Sequence, residues 1–287
     1  MNKGIYNAIN KLPSISSTIK EYNLSAKKKL SQNFILDMNL TDKIVRLSDS
    51  VKNNTVIEIG AGPGALTRSI LLNGAKKVII IEKDKRFLKA LQLLNTSSNN
   101  RIIIENEDAL KIDLKMLIEK HNIQQSEIVA NLPYSIATKL LLNWIPFPKG
   151  LHKMTLMFQT EVAERIVAEP GTKKYGRLSI LLGIMTDSRI LMNIPPSAFT
   201  PKPKVNSSII QIKQKKLDKN FNKNILEKVT QILFNKRRKQ IKSTLSQFGD
   251  PIKICNLLNI KPSQRPEELT LGNYEKLACL VSKYQDL

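Results

Sequence analysis

The sequence predicts an α/β fold: a mainly parallel sheet with helices on both faces, followed by a small all-helical C-terminal domain. Three observations indicate this fold. Short β-branched or apolar runs alternate with stretches of helical spacing through most of the 287 residues, a glycine-rich turn follows the first clear run, and from about residue 218 the periodicity is helical throughout. Such alternation is typical of parallel strands that are joined by helices.

Five short runs are predicted to be strands of this sheet because they are apolar or β-branched and are bounded by helical spacing. They are TVIEIG (55–60), KVIIIE (77–82), RIIIEN (101–106), EIVANL (127–132) and MTLMFQ (154–159). Two later runs, RILMNI (189–194) and SSIIQIK (207–213), are expected to pair as a hairpin at one edge. We therefore divide the chain into an N-terminal extension (1–29), a sheet domain (30–214) and a helical domain (215–287).

The charge balance favours a polyanionic partner. The chain carries 46 Lys and Arg against 24 Asp and Glu, a formal charge of +22. Residues 201–242 alone hold thirteen Lys or Arg and only Asp218 and Glu227. A charge that merely keeps the protein soluble would be spread more evenly, so the composition indicates nucleic acid.

The residue inventory argues against several other classes of protein. Cys255 and Cys279 form no CxxC motif, and His121 and His152 are solitary, so we expect no disulfide and no metal site. No apolar run has the roughly 20 residues that a membrane span needs, and the N-terminus lacks a secretory signal. We expect a soluble cytoplasmic protein; an organellar transit segment, and with it the mitochondrial matrix, is the alternative.

The turn after the first predicted strand, EIGAGPGAL, contains Gly60, Gly62 and Gly64. Glycine allows the backbone to turn tightly and to approach a ligand closely. Nicotinamide and flavin enzymes use G-x-G-x-x-G at this place, but here the third glycine comes one residue early and Glu58 precedes the first. This spacing favours S-adenosylmethionine (SAM) over a dinucleotide, and a plain tight turn is the third alternative.

Acidic residues follow the next two predicted strands. Glu82 ends the second strand, where a carboxylate can accept the ribose hydroxyls of a nucleotide cofactor. Asp108 follows the third strand, where its carboxylate could accept from an adenine amino group while the Ala109 N–H serves a ring nitrogen. Each acid alone could be a surface loop residue, but three consecutive strand ends together predict an adenosine site.

The fourth strand ends in Asn131-Leu132-Pro133-Tyr134, which directly precedes a helical pattern. An exocyclic amino group on a base is a weak nucleophile because its lone pair is delocalised. The Asn131 side-chain oxygen and the Leu132 carbonyl, fixed by Pro133, could accept its hydrogens and free the lone pair, while Tyr134 stacks on the base. Catalysis would then rest on positioning and electrostatics; the alternative is a simple strand-to-helix turn.

Several segments occur in an order that is typical of one family: LSQNFILD (30–37), VIEIGAGPGALT, IIIEKD, VANLPYSIAT, FQTEVAERIVAEPGTKKYGRLSILL, PPSAFTPKPKVNSSII and FNKRRKQIKSTL. From about residue 12 to residue 284 the chain resembles the ribosomal RNA adenine N6,N6-dimethyltransferases, specifically the small-subunit dimethyladenosine transferases. The resemblance implies a Rossmann-like SAM-dependent methyltransferase domain at 30–214 and a helical RNA-contacting domain at 215–287.

The resemblance also implies an activity and a set of roles. The activity is dimethylation of two adjacent adenosines near the 3′ end of small-subunit rRNA, within the immature small ribosomal subunit, by an enzyme that we expect to be monomeric. Phe199 is implied to close on the target adenine opposite Tyr134. The implied cofactor contacts are Asn33, Ile35, Gly60, Glu82, Asp108 and Asn131.

Two further groups have weaker support from the residues themselves. Phe199 lies in a proline-rich loop, where an aromatic ring is either a core residue or a platform for an unpaired base. The run Lys236-Arg237-Arg238-Lys239, with Lys242, is predicted to form a basic helix surface that contacts RNA phosphates. A solvated helix face is the alternative for this run.

Two alternative functions stay open on the sequence. A large-subunit rRNA adenine N6-methyltransferase of the macrolide-resistance type would share the fold and a similar Asn-Leu-Pro-Tyr segment. A non-catalytic RNA-binding assembly or transcription factor could retain the fold with a vestigial site. The segments PPSAFTPKPKVNS and FNKRRK favour the small-subunit enzymes, and the intact Gly60, Glu82, Asp108 and Asn131 argue against a vestigial site.

Overall fold

A seven-stranded sheet organises the computed structural model, which describes residues 3–218 and 221–285. The strands are β1 (Phe34–Ile35), β2 (Thr55–Ile59), β3 (Lys77–Ile81), β4 (Ile102–Glu105), β5 (Ser126–Ala130), β6 (Leu151–Gln159), β7 (Thr186–Ile194), β8 (Phe199–Thr200) and β9 (Ser207–Gln214). Their order in the large sheet is β4-β3-β2-β5-β6-β9-β7, and β1 pairs with β8 separately. The strands from β2 to β6 are mutually parallel, and β9 is antiparallel to β6. All five predicted parallel strands are confirmed, and the two later runs are neighbours at one edge as expected.

Helices precede, connect and follow the strands. They are α1 (Lys3–Asn10), α2 (Ile15–Glu21), α3 (Met38–Ser48), α4 (Ala65–Leu72), α5 (Leu88–Ser97), α6 (Leu114–Lys120), α7 (Tyr134–Asn143), α8 (Thr160–Ile166), α9 (Arg177–Met185), α10 (Lys223–Asn235), α11 (Lys242–Leu245), α12 (Pro251–Leu258) and α13 (Leu271–Gln285). Several begin at a capping side chain: Asp37, Asp113, Asn222 and Asp250 each accept a hydrogen bond from a backbone N–H of the first turn. Within the residues that the structure describes, no helix has both the length and the apolar character to cross a membrane.

The chain divides into two compact units. The first consists of Met1–Thr160 with Arg189–Lys213, and the second of Glu161–Ser188 with Gln214–Leu287. The predicted boundary at 214/215 is one residue from 213/214, where the chain passes for the last time from the first unit to the second. The division differs from the prediction in that residues 161–188 belong with the helical C-terminal part. The ends of the predicted extension and of the predicted helical domain, residues 1–2 and 286–287, lie outside the described residues.

The first unit is built around the central strands, whose side chains face helices on both sides. Ile57, Ile79 and Ile128 are fully buried, as expected for parallel strands covered on both faces. The N-terminal segment belongs to this unit, because Ile5 and Ile9 of α1 pack into a hydrophobic core with residues of β2, β3 and β5. The expected extension is therefore an integral part of the first unit.

Contacts within the second unit explain why residues 161–188 group with the C-terminal helices. A Cβ on Gly183 of α9 would lie 2.8 Å from a Leu271 methyl group, so glycine permits α9 and α13 to pack closely. The buried Tyr175 hydroxyl donates to the Leu269 carbonyl at 3.0 Å. The pattern RLSILLGIM predicts a buried helix in either arrangement, so the sequence does not indicate which neighbours it packs against.

Candidate active site

A cleft of about 250 Å³ lies at the carboxyl ends of the parallel strands in the first unit. In open α/β sheets this edge is where ligands bind, because the loops that follow the strands diverge there. Apart from Thr41, the lining residues lie in five stretches of chain: 29–35, 58–66 without Gly64, 81–84, 107–110 and 131–136. Four of these stretches follow β2, β3, β4 and β5, and the fifth includes β1.

The glycine turn after β2 forms the floor of the cleft. Gly60, Gly62 and Gly64 have φ angles of +72°, +54° and +89°, which L side chains rarely adopt. A Cβ on Gly62 would lie 3.4 Å from the Phe34 ring. Gly64 directly precedes α4, whose first-turn N–H groups are oriented toward this edge of the sheet.

Glu82 follows β3 and is held by the backbone around it. Its carboxylate accepts hydrogen bonds from the Gly62 N–H at 3.0 Å and from the Asp84 N–H at 2.8 Å. Burial raises the pKa of Glu82, and these N–H groups oppose the shift. An ionised carboxylate offers about four acceptor positions, so Glu82 retains capacity to accept from a ligand in the cleft.

Asp108 follows β4 and forms the next wall. Lys83 Nζ lies 2.7 Å from Asp108 Oδ2, and the Leu110 N–H donates to Oδ1 at 3.0 Å. The hydrogen bond from Lys83 holds the pKa of Asp108 below its ordinary value. Asp108 is thus a fixed and ionised acceptor, with Ala109 beside it in the cleft lining.

Glu58 is a residue of the cleft to which the sequence analysis gave no role of its own. It lies in β2 and is 1% exposed, and the Thr67 hydroxyl donates to its Oε2 at 2.6 Å. Burial, as the largest cause, raises the pKa of Glu58 to about 8, and the nearby Glu82 adds to the shift. Its position two residues before Gly60 was the available sequence signal.

Asn131 follows β5 and connects two walls of the cleft. Its side-chain Nδ2 donates to the Asn33 carbonyl oxygen at 3.0 Å. Because a carbonyl can only accept, this bond fixes which end of the amide carries the nitrogen. The amide oxygen of Asn131 accepts no hydrogen bond from the residues that the structure describes, and the residue lines the cleft.

Leu132, Pro133 and Tyr134 continue this wall. Pro133 has φ −59° and ψ 122° and is the N-cap of α7, so the predicted strand-to-helix turn is present. The Tyr134 hydroxyl lies 2.5 Å from the Ser207 hydroxyl of β9, and burial raises the pKa of the phenol. The turn and the wall of the cleft are therefore made by the same residues.

The segment before β1 closes one side of the cleft through side chains that sequence reasoning did not pair. Gln32 Nε2 donates to Asp84 Oδ2 at 3.3 Å, and the Ser31 hydroxyl donates to the Ser135 hydroxyl at 3.0 Å. The hydrogen bond from Arg86 is the main cause that lowers the pKa of Asp84 to about 2. The pairs Gln32–Asp84 and Ser31–Ser135 join residues that are far apart in the sequence, and no local pattern indicates them.

Phe199 does not line the cleft. It is 4% exposed, lies in β8 opposite Ile35, and packs in the hydrophobic core of the first unit. Of the two readings of this loop aromatic, the structure therefore shows the core residue. The contact with a target adenine opposite Tyr134 stays a prediction, and it would require the Phe199 ring to leave this buried position.

The basic run in the second unit differs from its prediction. Helix α10 ends at Asn235, residues 236–238 form a turn and residue 239 is a bend, so the prediction of a helix surface is wrong for Lys236–Lys239. The Arg237 guanidinium pairs with Glu267 and donates to the Lys173 carbonyl at 2.9 Å, so it is engaged within the second unit. Four basic residues remain exposed: Lys236, Arg238, Lys239 and Lys242.

The structure thus brings together the residues predicted to bind a cofactor and those of the Asn-Leu-Pro-Tyr segment. Those that line the cleft are Asn33, Ile35, Gly60, Gly62, Glu82, Asp108, Ala109, Asn131, Leu132, Pro133 and Tyr134. In the described part of the chain, no group of three or more His, Cys, Asp or Glu residues is placed to hold a metal ion.

Comparison with known proteins gives consistent results. A family model described as ribosomal RNA adenine dimethylase matches residues 23–274. The chain is 42% identical over 275 residues to the ribosomal RNA small subunit methyltransferase A of Xanthobacter autotrophicus, and the match covers 94% of each protein.

Two solved structures share the architecture. A dimethyladenosine transferase from Plasmodium falciparum is 25% identical with a TM-score of 0.71, and the match covers 87% of this chain and 96% of that one. The 23S rRNA methyltransferase ErmE is 19% identical with a TM-score of 0.66, over 87% of this chain and 100% of that one. These likenesses and the sheet order confirm the predicted Rossmann-like methyltransferase fold.

Proposed function

The chain belongs to the ribosomal RNA adenine dimethylase family, and we propose that it dimethylates N6 of two adjacent adenosines near the 3′ end of small-subunit rRNA with SAM as methyl donor. The relative from Xanthobacter autotrophicus is named for the small subunit, and its match covers 94% of each protein, which supports a small-subunit substrate. The likeness to ErmE, at 19% identity, supports the fold and not a large-subunit substrate.

The observation that carries the proposal is the amide of Asn131. Its nitrogen is engaged by the Asn33 carbonyl, so its oxygen is left as an acceptor at the edge of the cleft. The Leu132 carbonyl, in the turn that Pro133 fixes, is the second acceptor. Two acceptors on the hydrogens of an adenine amino group would localise the nitrogen lone pair and orient it for in-line attack on the methyl donor, whose methyl–sulfur bond would break, with the thioether leaving, as the methyl–nitrogen bond forms.

The floor and far walls of the cleft suit the cofactor. The left-handed glycine turn allows a ligand to approach the backbone closely, and Glu82 and Asp108 have the position and acceptor capacity for ribose hydroxyls and an adenine amino group. When bound, SAM supplies a methyl group on a positively charged sulfur. The proton lost from the methylated nitrogen can pass to water, so this reaction needs no strong base in the cleft.

The second unit would contribute to RNA binding. Lys236, Arg238, Lys239 and Lys242 are exposed and are proposed to contact phosphates, whereas Arg237 is engaged by Glu267. Phosphate contacts give affinity without sequence preference. The substrate is proposed to be rRNA within the immature small subunit, acted on by a monomer in the cytoplasm, as suits a bacterial type of rRNA methyltransferase.

The test is methyl transfer to purified small ribosomal subunits that lack this modification. We expect mass spectrometry of the digested rRNA to find dimethyladenosine at two adjacent positions near the 3′ end, and calorimetry to detect binding of SAM but not of NADH. Methylation of large-subunit rRNA instead would favour the large-subunit alternative. RNA binding without methyl transfer would favour a non-catalytic role.

A further inference from the structure

The Tyr134 side chain is held at both of its ends. At one end, Tyr134 is the first residue of α7, directly after the Pro133 N-cap, so its backbone is part of the helix. Its hydroxyl lies 2.5 Å from the hydroxyl of Ser207, and Ser207 is fully buried. The two residues are 73 positions apart in the sequence, so the contact depends on the tertiary fold.

The antiparallel direction of β9 explains how Ser207 reaches this place. Because β9 runs opposite to β6, its first residue, Ser207, lies beside the last residue of β6, Gln159. The carboxyl end of β6 belongs to the edge of the sheet where the cleft opens. An antiparallel strand therefore delivers its N-terminal residue to the catalytic edge, where a parallel strand would deliver its C-terminal residue.

The next residue, Ser208, has the same burial and a different partner. Its hydroxyl lies 2.9 Å from the Thr160 hydroxyl and donates to Asn193 Oδ1 at 2.7 Å. Ser208 thus makes hydrogen bonds only within the sheet region, whereas Ser207 bonds to a residue of the cleft. The chain offers in this pair a matched control for any effect of removing a buried serine hydroxyl.

We propose that Ser207 is a positioning residue for the reaction: its hydroxyl holds the Tyr134 ring in the orientation in which the target adenine stacks on it. This inference rests on the proposed function. A tyrosine ring has two side-chain torsions. A hydrogen bond at the hydroxyl fixes where the far end of the ring lies, which restricts the first torsion, and the preference of the phenolic O–H for the ring plane restrains the second more weakly. Without the bond, the ring must be ordered each time a base enters, which lowers the fraction of bound bases in reactive geometry.

The experiment is single-turnover methyl transfer at saturating SAM on small subunits that lack the modification. It compares wild type, Ser207→Ala, Tyr134→Phe, the double variant and Ser208→Ala. A hydrogen bond of ordinary strength predicts a rate about two- to tenfold lower for Ser207→Ala and for Tyr134→Phe. Because both changes remove the same bond, the double variant should be no slower than the slower single variant. Ser208→Ala should react at the wild-type rate.

A second measurement observes the base directly. An RNA fragment that spans the two adenosines carries 2-aminopurine in place of the first, and its fluorescence reports stacking on Tyr134. We expect the protein-bound fluorescence to change in the same way with Ser207→Ala and Tyr134→Phe, and to stay at the wild-type value with Ser208→Ala. Thermal unfolding of Ser207→Ala and Ser208→Ala provides the comparison for loss of stability.

Four outcomes decide the matter. Rate losses that multiply in the double variant, or an equal loss in Ser208→Ala, would show that Ser207 acts through general stability and not through Tyr134. If Ser207→Ala does not fold, Tyr134→Phe decides, because it removes the same bond and keeps the ring; a wild-type rate and fluorescence would then overturn the inference. If wild-type protein transfers no methyl group, the proposed function itself fails.

Discussion

Buried acids lie at both ends of the central sheet, and their hydrogen-bond and charge partners differ between the two ends. At the amino end, Glu127 of β5 is 0% exposed and lies opposite Lys153 of β6, with 3.6 Å between Lys153 Nζ and Glu127 Oε2. The Ser50 hydroxyl donates to the same carboxylate at 3.0 Å. Lys153 also donates to the Ser48 carbonyl and pairs with Asp49. Here a cation and neutral donors surround the acid.

At the carboxyl end, Glu58 and Glu82 are 1% and 5% exposed, and their hydrogen-bond donors are a hydroxyl and backbone N–H groups. Neither forms an ion pair with the residues that the structure describes. Their pKa values are raised by burial. The acid that has its own cation is thus part of the scaffold, whereas the two acids that have only neutral donors lie at the edge where a ligand is proposed to bind.

The largest expected effect comes from breaking the scaffold pair. Lys153→Met leaves Glu127 buried without its counter-charge, which should lower the free energy of unfolding by about 3–5 kcal/mol. Urea denaturation measures this loss. The double variant Glu127→Gln/Lys153→Met should recover most of it, because no unpaired charge remains. A loss below about 1 kcal/mol for the single variant would mean that the pair behaves as an exposed one.

The second effect is on the reaction and not on the fold. Asn131→Ala removes the free amide oxygen proposed to act on the target amino group, and the single-turnover rate should fall by about 10²–10³. Affinity for rRNA should change much less, because the interaction strengthens chiefly in the transition state. A wild-type rate would reduce the Asn-Leu-Pro-Tyr segment to a turn.

A smaller effect is expected for the cofactor acid. Glu82→Gln keeps the size of the side chain and removes its charge and part of its acceptor capacity, so SAM affinity should fall by about 1–3 kcal/mol. Calorimetry measures this change, and filter binding of rRNA serves as the control. If RNA affinity falls by the same factor, the variant has lost the local fold and not a cofactor contact.

The last effect is spread over several pH units and concerns Glu58. Its pKa rises from an ordinary value of 4.5, which holds for the unfolded chain, to about 8 in the folded protein. Between these values the folded protein therefore holds a proton that the unfolded chain has released. This stabilisation is complete below pH 4.5 and is lost as the pH rises through 8, with a slope of up to about 1.4 kcal/mol per pH unit. Denaturation at several pH values should show a flatter profile for Glu58→Gln. An unchanged profile would place the titration elsewhere.

Features that are formed by neighbouring residues could be predicted from the sequence. The strands β2 to β6 follow from short apolar runs, because that pattern is set by local composition and burial. The glycine turn and Asn131–Tyr134 were also predictable, since each is a short segment whose chemistry is contained in neighbouring residues. Their convergence on one cleft follows from the rule that parallel strands present their carboxyl ends together.

The missed features all depend on partners that are distant in the sequence. Tyr134 with Ser207, Gln32 with Asp84, and Glu127 with Lys153 are brought together by the sheet order and not by any local pattern. The basic run was predicted to be helical because its spacing allows it, but the pairing of Arg237 with Glu267 is a tertiary contact. Tertiary contacts override local propensity in such cases.

The amide of Asn131 has a thermodynamic consequence. An amide group is planar and carries its donor and its acceptor on one rigid unit, so the Asn33 carbonyl that holds the nitrogen also sets the direction of the oxygen. A cofactor that restricts the motion of Asn33 would also restrict the Asn131 amide, and with it the oxygen that is proposed to accept from the target base. If the cofactor contacts Asn33 and the target base contacts Asn131, as proposed, the two binding events would be energetically coupled, and linkage would make the coupling reciprocal: each ligand would change the affinity of the other by the same factor.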